Sequence, residues 1–385
     1  MKLLKITLEG LPLYNDILVI DFVAQQRVDD DDKERLYNVF SNIYLNQAIS
    51  FVGINASGKT TILKTISFVL KMLNNKSIND VKTKEILNDL DSNSHVIITS
   101  YFCDDFLINK LETFIRKEVS SIDGNERFVI YNENLWSKEI RRIKLKKSIF
   151  DFKDSDLKKK RDQNEQYLMD DVSIIVALNK KNDMGFFVRD MLEFTDHNMI
   201  NVLGRFPREL LTFLDPSIEY LECRFKEKKV DIRLKFYGKE EVAISNTMTL
   251  SDYLSSGTIK GLGVFMSALF TFTEGGYLII DEIENHFNRE IVATLIRFYM
   301  DSKVNKTGAT LIFSTHYSEL LDEFHRNDSV YIVRNKEGII ANNLANVLKR
   351  NDLKKSEVYD SDYLGGTVPE YDVYMALKKA LISAK

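Results

Sequence analysis

Gly53-Ile54-Asn55-Ala56-Ser57-Gly58-Lys59-Thr60 is a complete G-x-x-x-x-G-K-T loop, and it constrains the fold more than any other stretch of the chain. Before it runs Ala48–Val52, short, apolar and strand-like. After it runs Thr61–Leu70, whose apolar residues recur at helical spacing. A loop between a strand and a helix turns several backbone N–H groups toward one point, and the helix N-terminus adds positive potential there. Gly53 and Gly58 permit the backbone angles and the close approach of an anion. Lys59 can reach the β- and γ-phosphates of a nucleotide, and Thr60 can hold Mg²⁺. Asn55, Ala56, Ser57 and Thr61 complete the expected phosphate-contacting set. ATP with Mg²⁺ is the expected ligand pair.

The other strong signals lie far downstream. Gly276–Ile280 is an apolar run ending in Asp281 and Glu282. Buried parallel strands read as continuous apolar runs, and ligands gather at their C-terminal ends. Asp281 is thus expected to bind Mg²⁺ directly or through water, and Glu282 to polarise an attacking water. Ala309–Thr315 is another apolar strand and ends in His316. Leu254-Ser255-Ser256-Gly257-Thr258 precedes a long apolar segment, Leu262–Phe272, that reads as a buried helix. A serine–glycine turn at a helix start binds phosphate through hydroxyls and backbone N–H groups, and it equally serves as a plain N-cap.

In their order and spacing these motifs resemble those of the ABC-type AAA ATPases of bacterial abortive-infection and anti-phage loci, related more broadly to RecF/SMC-like ATPases. The carriers are GINASGKTT at Gly53–Thr61, LSSGT at Leu254–Thr258, LIIDEIENHF at Leu278–Phe287 and IFSTH at Ile312–His316. Asp362–Pro369 also resembles the Gly-Gly-x-x-Pro ending of that group. The resemblance implies a P-loop NTPase of ABC type, α/β, with a mixed central sheet, flanking helices and an inserted helical or mixed lid. It implies a head-to-tail homodimer around two ATP molecules. Lys59, Glu282 and His316 would be catalytic, Thr60 and Asp281 would hold the metal, and Ser255, Ser256 and Gly257 would act on the partner's nucleotide. Glu284–Phe287 falls where such proteins contact the partner's site, and His286 reads equally as an ordinary exposed loop residue. No glutamine stands near His95–Phe102, where the resemblance would place one, and no adenine-stacking aromatic can be named.

Composition narrows the setting. The 385 residues are 44% hydrophobic and 29% charged, enough for a sizeable core. A net charge of −4 gives no global sign of a nucleic-acid binder. Two distant cysteines, Cys103 and Cys223, suit a reducing cytoplasm. No apolar run reaches the roughly 20 residues that span a bilayer, so a cytoplasmic protein without a membrane partner is expected.

Residues 1–102 are expected to hold the first part of the ATPase core, 103–249 an inserted helical lid plus additional strands, 250–345 the second part, and 346–385 a charged tail ending in an amphipathic helix, Glu370–Ala384. Val230–Phe236 alternates as a strand. Arg141–Lys147 and Lys158–Arg161 are locally basic and either follow a nucleic-acid backbone or form a solvated face. Asp29–Asp32 reads as an exposed loop. Function follows as a conformational switch on an effector protein such as a nuclease, with DNA binding in repair as the alternative.

Overall fold

The computed structural model describes residues 1–119, 124–143, 145–162, 168–182, 184–194, 203–226, 229–368 and 371–383. Lys144 of the basic stretch, Pro369 of the tail motif, and Glu370 and Ala384 at the ends of the expected last helix lie outside them. Within the described residues that helix runs Tyr371–Ser383.

Ala48–Val52 is buried at every position, as a central strand must be, and it lies in a six-stranded mixed sheet. The order is Val188–Asp190, Tyr277–Ile280, Thr310–Thr315, Ala48–Val52, Val330–Asn335 and Ile339–Asn343. The first five run parallel, and the last pairs antiparallel with Val330–Asn335. Register sets Thr315 beside Val52 and Phe313 beside Ile280. The loop after Val52, the acids after Ile280 and the histidine after Thr315 therefore leave the sheet at one edge.

The helix Lys59–Leu73 follows the loop directly and is apolar on nearly every side. A helix buried all round needs cover on two faces. Here one apolar core joins Ile62, Leu63 and Phe68 of the helix to Ile279, Ile312 and Tyr331 of the mixed sheet and to Leu3, Ile98 and Leu111 of a second sheet. That second sheet is antiparallel, with the order Leu18–Asp21, Lys2–Glu9, His95–Cys103, Leu107–Val119, Glu126–Glu139 and Leu157–Lys160. Buried tyrosines bolt the two sheets together. Tyr277 Oη accepts from Leu3 N at 2.6 Å, and Tyr331 Oη accepts from Asp21 N at 2.8 Å.

The stretch 103–249, expected as a helical lid plus additional strands, has more strand than helix among its described residues. Leu107–Val119 and Glu126–Glu139 form one long hairpin that extends the N-terminal sheet across Cys103. Its helices are short, Ile175–Asn182 and Arg208–Leu214. Alternation explains the outcome: Leu107, Asn109, Leu111, Thr113 and Ile115 share one face of a strand. A third sheet, Gly204–Arg205, Ile218–Lys226, Lys229–Phe236 and Val242–Ile244, packs its own small core on Leu254, Ile259 and Leu262 at the start of the helix Ser256–Glu274.

Asp29, Asp30 and Asp31 are exposed as expected, but the run is not a plain loop. Asp30–Lys33 is one helical turn capped by Asp29, and Asp32 pairs with Arg326, a guanidinium that also grips the buried Asp328 at 2.7 Å. A partner nearly 300 residues away was not legible in the local run.

Candidate nucleotide site

Gly58 caps the helix Lys59–Leu73 from a left-handed conformation, φ 98°. A Cβ there would also sit 2.5 Å from the Ile339 side chain, so both conformation and space require glycine. The adjoining helix turn presents unsatisfied N–H groups. Ser57 Oγ is buried without a partner beside them. Lys59 folds back over its own loop and donates to the Gly53 carbonyl at 2.9 Å and the Ile54 carbonyl at 3.0 Å. Burial pushes its pKa down to about 8, against the opposing pull of Asp281, Glu284 and Glu282.

The residues expected to act together do converge. Thr60 Oγ1 donates to Asp281 Oδ2 at 2.7 Å. His316 stands between Lys59 and Glu282, with Nδ1 at 3.2 Å from Lys59 Nζ and Nε2 at 3.3 Å from Glu282 Oε1. Glu282 is left-handed at φ 46°, a conformation that a non-glycine residue keeps only when its surroundings over-determine it. These groups border a pocket of about 550 Å³ lined by Asn55–Thr61, Glu282 and His316.

The donor set suits Mg²⁺. A hydroxyl and a carboxylate oxygen meet at one point, both hard ligands, leaving other positions to water and phosphate oxygens. Among the described residues no cluster of three or more His, Cys, Asp or Glu could hold a metal by itself.

The serine–glycine turn is not part of this pocket. Ser255 is the N-cap of Ser256–Glu274, accepting from Thr258 N at 3.1 Å, and Ser256 and Gly257 open the helix. Gly257 lies so close to the loop after the acids that a Cβ would come within 2.6 Å of the His286 carbonyl oxygen. His286 itself is exposed, in a left-handed conformation with φ 69°.

Several site residues escaped the sequence reading. Leu13, Asn335 and Ile339 line the pocket beyond the phosphate loop. Ile339 N donates to the Leu13 carbonyl at 2.9 Å, and Asn335 Nδ2 to the Ala56 carbonyl at 3.3 Å. Glu284 is nearly buried and accepts from His316 N at 2.6 Å. No local pattern marks the first three; Glu284 was expected in the loop facing the partner's site, and what the sequence did not show is that its carboxylate holds the His316 backbone of its own chain.

The basic stretches are engaged within the chain in part. Arg141 and Arg142 both pair with Glu139 and stay exposed. Lys146 donates to the Ala24 and Gln25 carbonyls, and Arg161 to Glu133 and the Val172 and Met169 carbonyls.

A family model described as "AAA domain, putative AbiEii toxin, Type IV TA system" matches residues 49–322. The chain belongs to this family. The match spans the phosphate loop, the serine–glycine turn, the acid pair and His316, and covers most of the chain. Membership makes the chain a P-loop ATPase of a kind associated with toxin–antitoxin systems, and the mixed α/β sheet of this AAA domain agrees. No curated protein matches it. Among the described residues no helix is long and apolar enough to cross a membrane.

Proposed function

We propose that this chain is an ABC-type ATPase that closes head to tail with a second copy around two Mg²⁺-ATP molecules, and that closure switches an effector protein in an anti-phage or toxin–antitoxin setting. The observation that carries the reading is the convergence of Thr60 on Asp281 at 2.7 Å while His316 bridges Lys59 and Glu282 beside the phosphate loop.

Catalysis in this reading is positioning and electrostatics, with little covalent chemistry for the protein to do. Lys59 exchanges its loop carbonyls for the β- and γ-phosphates. Thr60 and Asp281 hold Mg²⁺, which when bound offsets the charge developing on the phosphates. Glu282 orients or deprotonates the attacking water. His316 contacts the γ-phosphate, steadied at its ring by Glu282 and at its backbone by Glu284. Ser255, Ser256 and Gly257 act on the partner's nucleotide. Their position outside the pocket of their own chain, against the His286 loop, supports that assignment.

A protein effector, for instance a nuclease, is favoured over DNA because Lys146 and Arg161 are tied to carbonyls of their own chain. The family description, which names a toxin system, points the same way. The test is Glu282→Gln purified with ATP and treated with nuclease. Expected are tight ATP binding, near-zero turnover, doubled mass by light scattering and a nuclease-resistant protein partner. Near-normal turnover refutes the role of Glu282. Co-purifying nucleic acid that nuclease removes, with no protein, shifts the reading to a RecF/SMC-like DNA-binding ATPase.

A further inference from the structure

Ser314 lies on the strand Thr310–Thr315, two residues before His316, and is fully buried. Its hydroxyl donates to Asp281 Oδ1 and accepts from Glu282 N at 2.8 Å. Its carbonyl accepts from Ile283 N at 3.1 Å. A hydroxyl has one hydrogen to donate and two lone pairs, so both bonds form at once without competition. One buried residue thus holds three consecutive positions, Asp281 by its side chain and Glu282 and Ile283 by their backbones.

Other buried serines bond in the same way: Ser173 Oγ donates to Glu133 Oε1 at 2.6 Å and accepts from Ile175 N at 3.2 Å. What sets Ser314 apart is where its bonds go. Its two hydroxyl bonds go to the two adjacent acids, and each has a distinct geometric result. With Oδ1 engaged, Asp281 turns Oδ2 to Thr60. With its N–H engaged, Glu282 stays left-handed, and from there its carboxylate reaches His316 at 3.3 Å.

We propose that Ser314 is a positioning residue for ATP hydrolysis, locking the Asp281 carboxylate toward the metal position and pinning Glu282 in the backbone conformation that aims its side chain at His316 and the pocket. It acts only through the two acids, and the proposal rests on the reading above that these acids serve ATP hydrolysis. None of its bonds goes to the phosphate loop, where Lys59 is held by the Gly53 and Ile54 carbonyls.

The test compares wild type with Ser314→Ala, Ser314→Cys and Ser314→Thr. Misplacing a catalytic group by about 1 Å costs roughly a hundredfold, so Ser314→Ala is expected to lose roughly ten- to a hundredfold in kcat. Ser314→Cys keeps the size without a strong donor and is expected to match alanine, while Ser314→Thr keeps the hydroxyl and restores turnover. ATP binding in EDTA stays at the wild-type value. Mn²⁺ affinity in the presence of ADP, read by electron paramagnetic resonance, falls severalfold in Ser314→Ala independently of any turnover. A Ser314→Ala protein within about twofold of wild type in kcat and in Mn²⁺ affinity overturns the proposal. So does a loss of turnover accompanied by an equal loss of ATP binding in EDTA. A wild-type protein that does not hydrolyse ATP with Mg²⁺ overturns the underlying reading instead, and the Mn²⁺ measurement then judges Ser314 by itself.

Discussion

Replacing Lys59 by methionine separates what this side chain does for nucleotide from what it does to the fold. Burial holds the Lys59 ammonium at about 8 against an ordinary 10.5. Each pH unit of that gap is worth about 1.4 kcal/mol, so keeping the group charged in this site costs about 3 kcal/mol at neutral pH. The pocket beside it is open, and solvent screening lowers the figure to about 1–2 kcal/mol. The sign follows from the direction of the shift. The folded value lies below the unfolded one, so the folded chain releases this proton first as pH rises. The penalty is complete below about pH 8 and vanishes between about pH 8 and 10.5. Wild type should therefore gain stability relative to Lys59→Met as pH rises, by about 1 kcal/mol between about pH 7 and 9.5. The bonds to the Gly53 and Ile54 carbonyls contribute a largely pH-independent offset, so the slope carries the test. Lys2, also lowered to about 8, titrates in both proteins and cancels in the difference. The assay is urea unfolding of both proteins across that range, with ATP binding by calorimetry alongside. A stability difference that does not change with pH, or one that changes in the opposite direction, refutes the argument. So does retained ATP affinity in the variant.

Three further outcomes are expected. Thr60→Val removes the hydroxyl that meets Asp281, and the Mg²⁺ concentration for half-maximal turnover should rise roughly ten- to a hundredfold while ATP binding in EDTA is unchanged. Gly257→Ala forces a Cβ to within 2.6 Å of the His286 carbonyl, so ATP-dependent dimerisation measured by light scattering should fail while the monomer still binds ATP. Ile339→Ser opens the apolar wall beyond the loop, so affinity for ATP should drop roughly tenfold while affinity for inorganic triphosphate, which has no base, stays within error by calorimetry.

The parts of the site legible in the sequence are those whose chemistry is local. The phosphate loop, the apolar strands Tyr277–Ile280 and Thr310–Thr315, and the residues that terminate them are each written in fewer than about ten consecutive positions. Backbone geometry at a strand end or a helix start follows from those positions alone. The hairpin of Leu107–Val119 with Glu126–Glu139 is written in the alternation from Leu107 to Ile115, whereas the sequence reading named only Val230–Phe236 among the additional strands.

What only the tertiary structure decided is which distant groups meet. Strand order puts Thr310–Thr315 between the loop strand and the acid strand, and that order alone brings His316 between Lys59 and Glu282. The same order gives Ser314 to Asp281 and Glu282, Glu284 to the backbone of His316, and Ile339 to the far wall of the pocket. None of these contacts has a sequence signature, because a hydrogen bond across two parallel strands depends on their register, and register is set by the whole buried core. The residue types at the sheet edge were determined locally by the sequence; their pairing was determined by packing over some 280 residues of intervening chain.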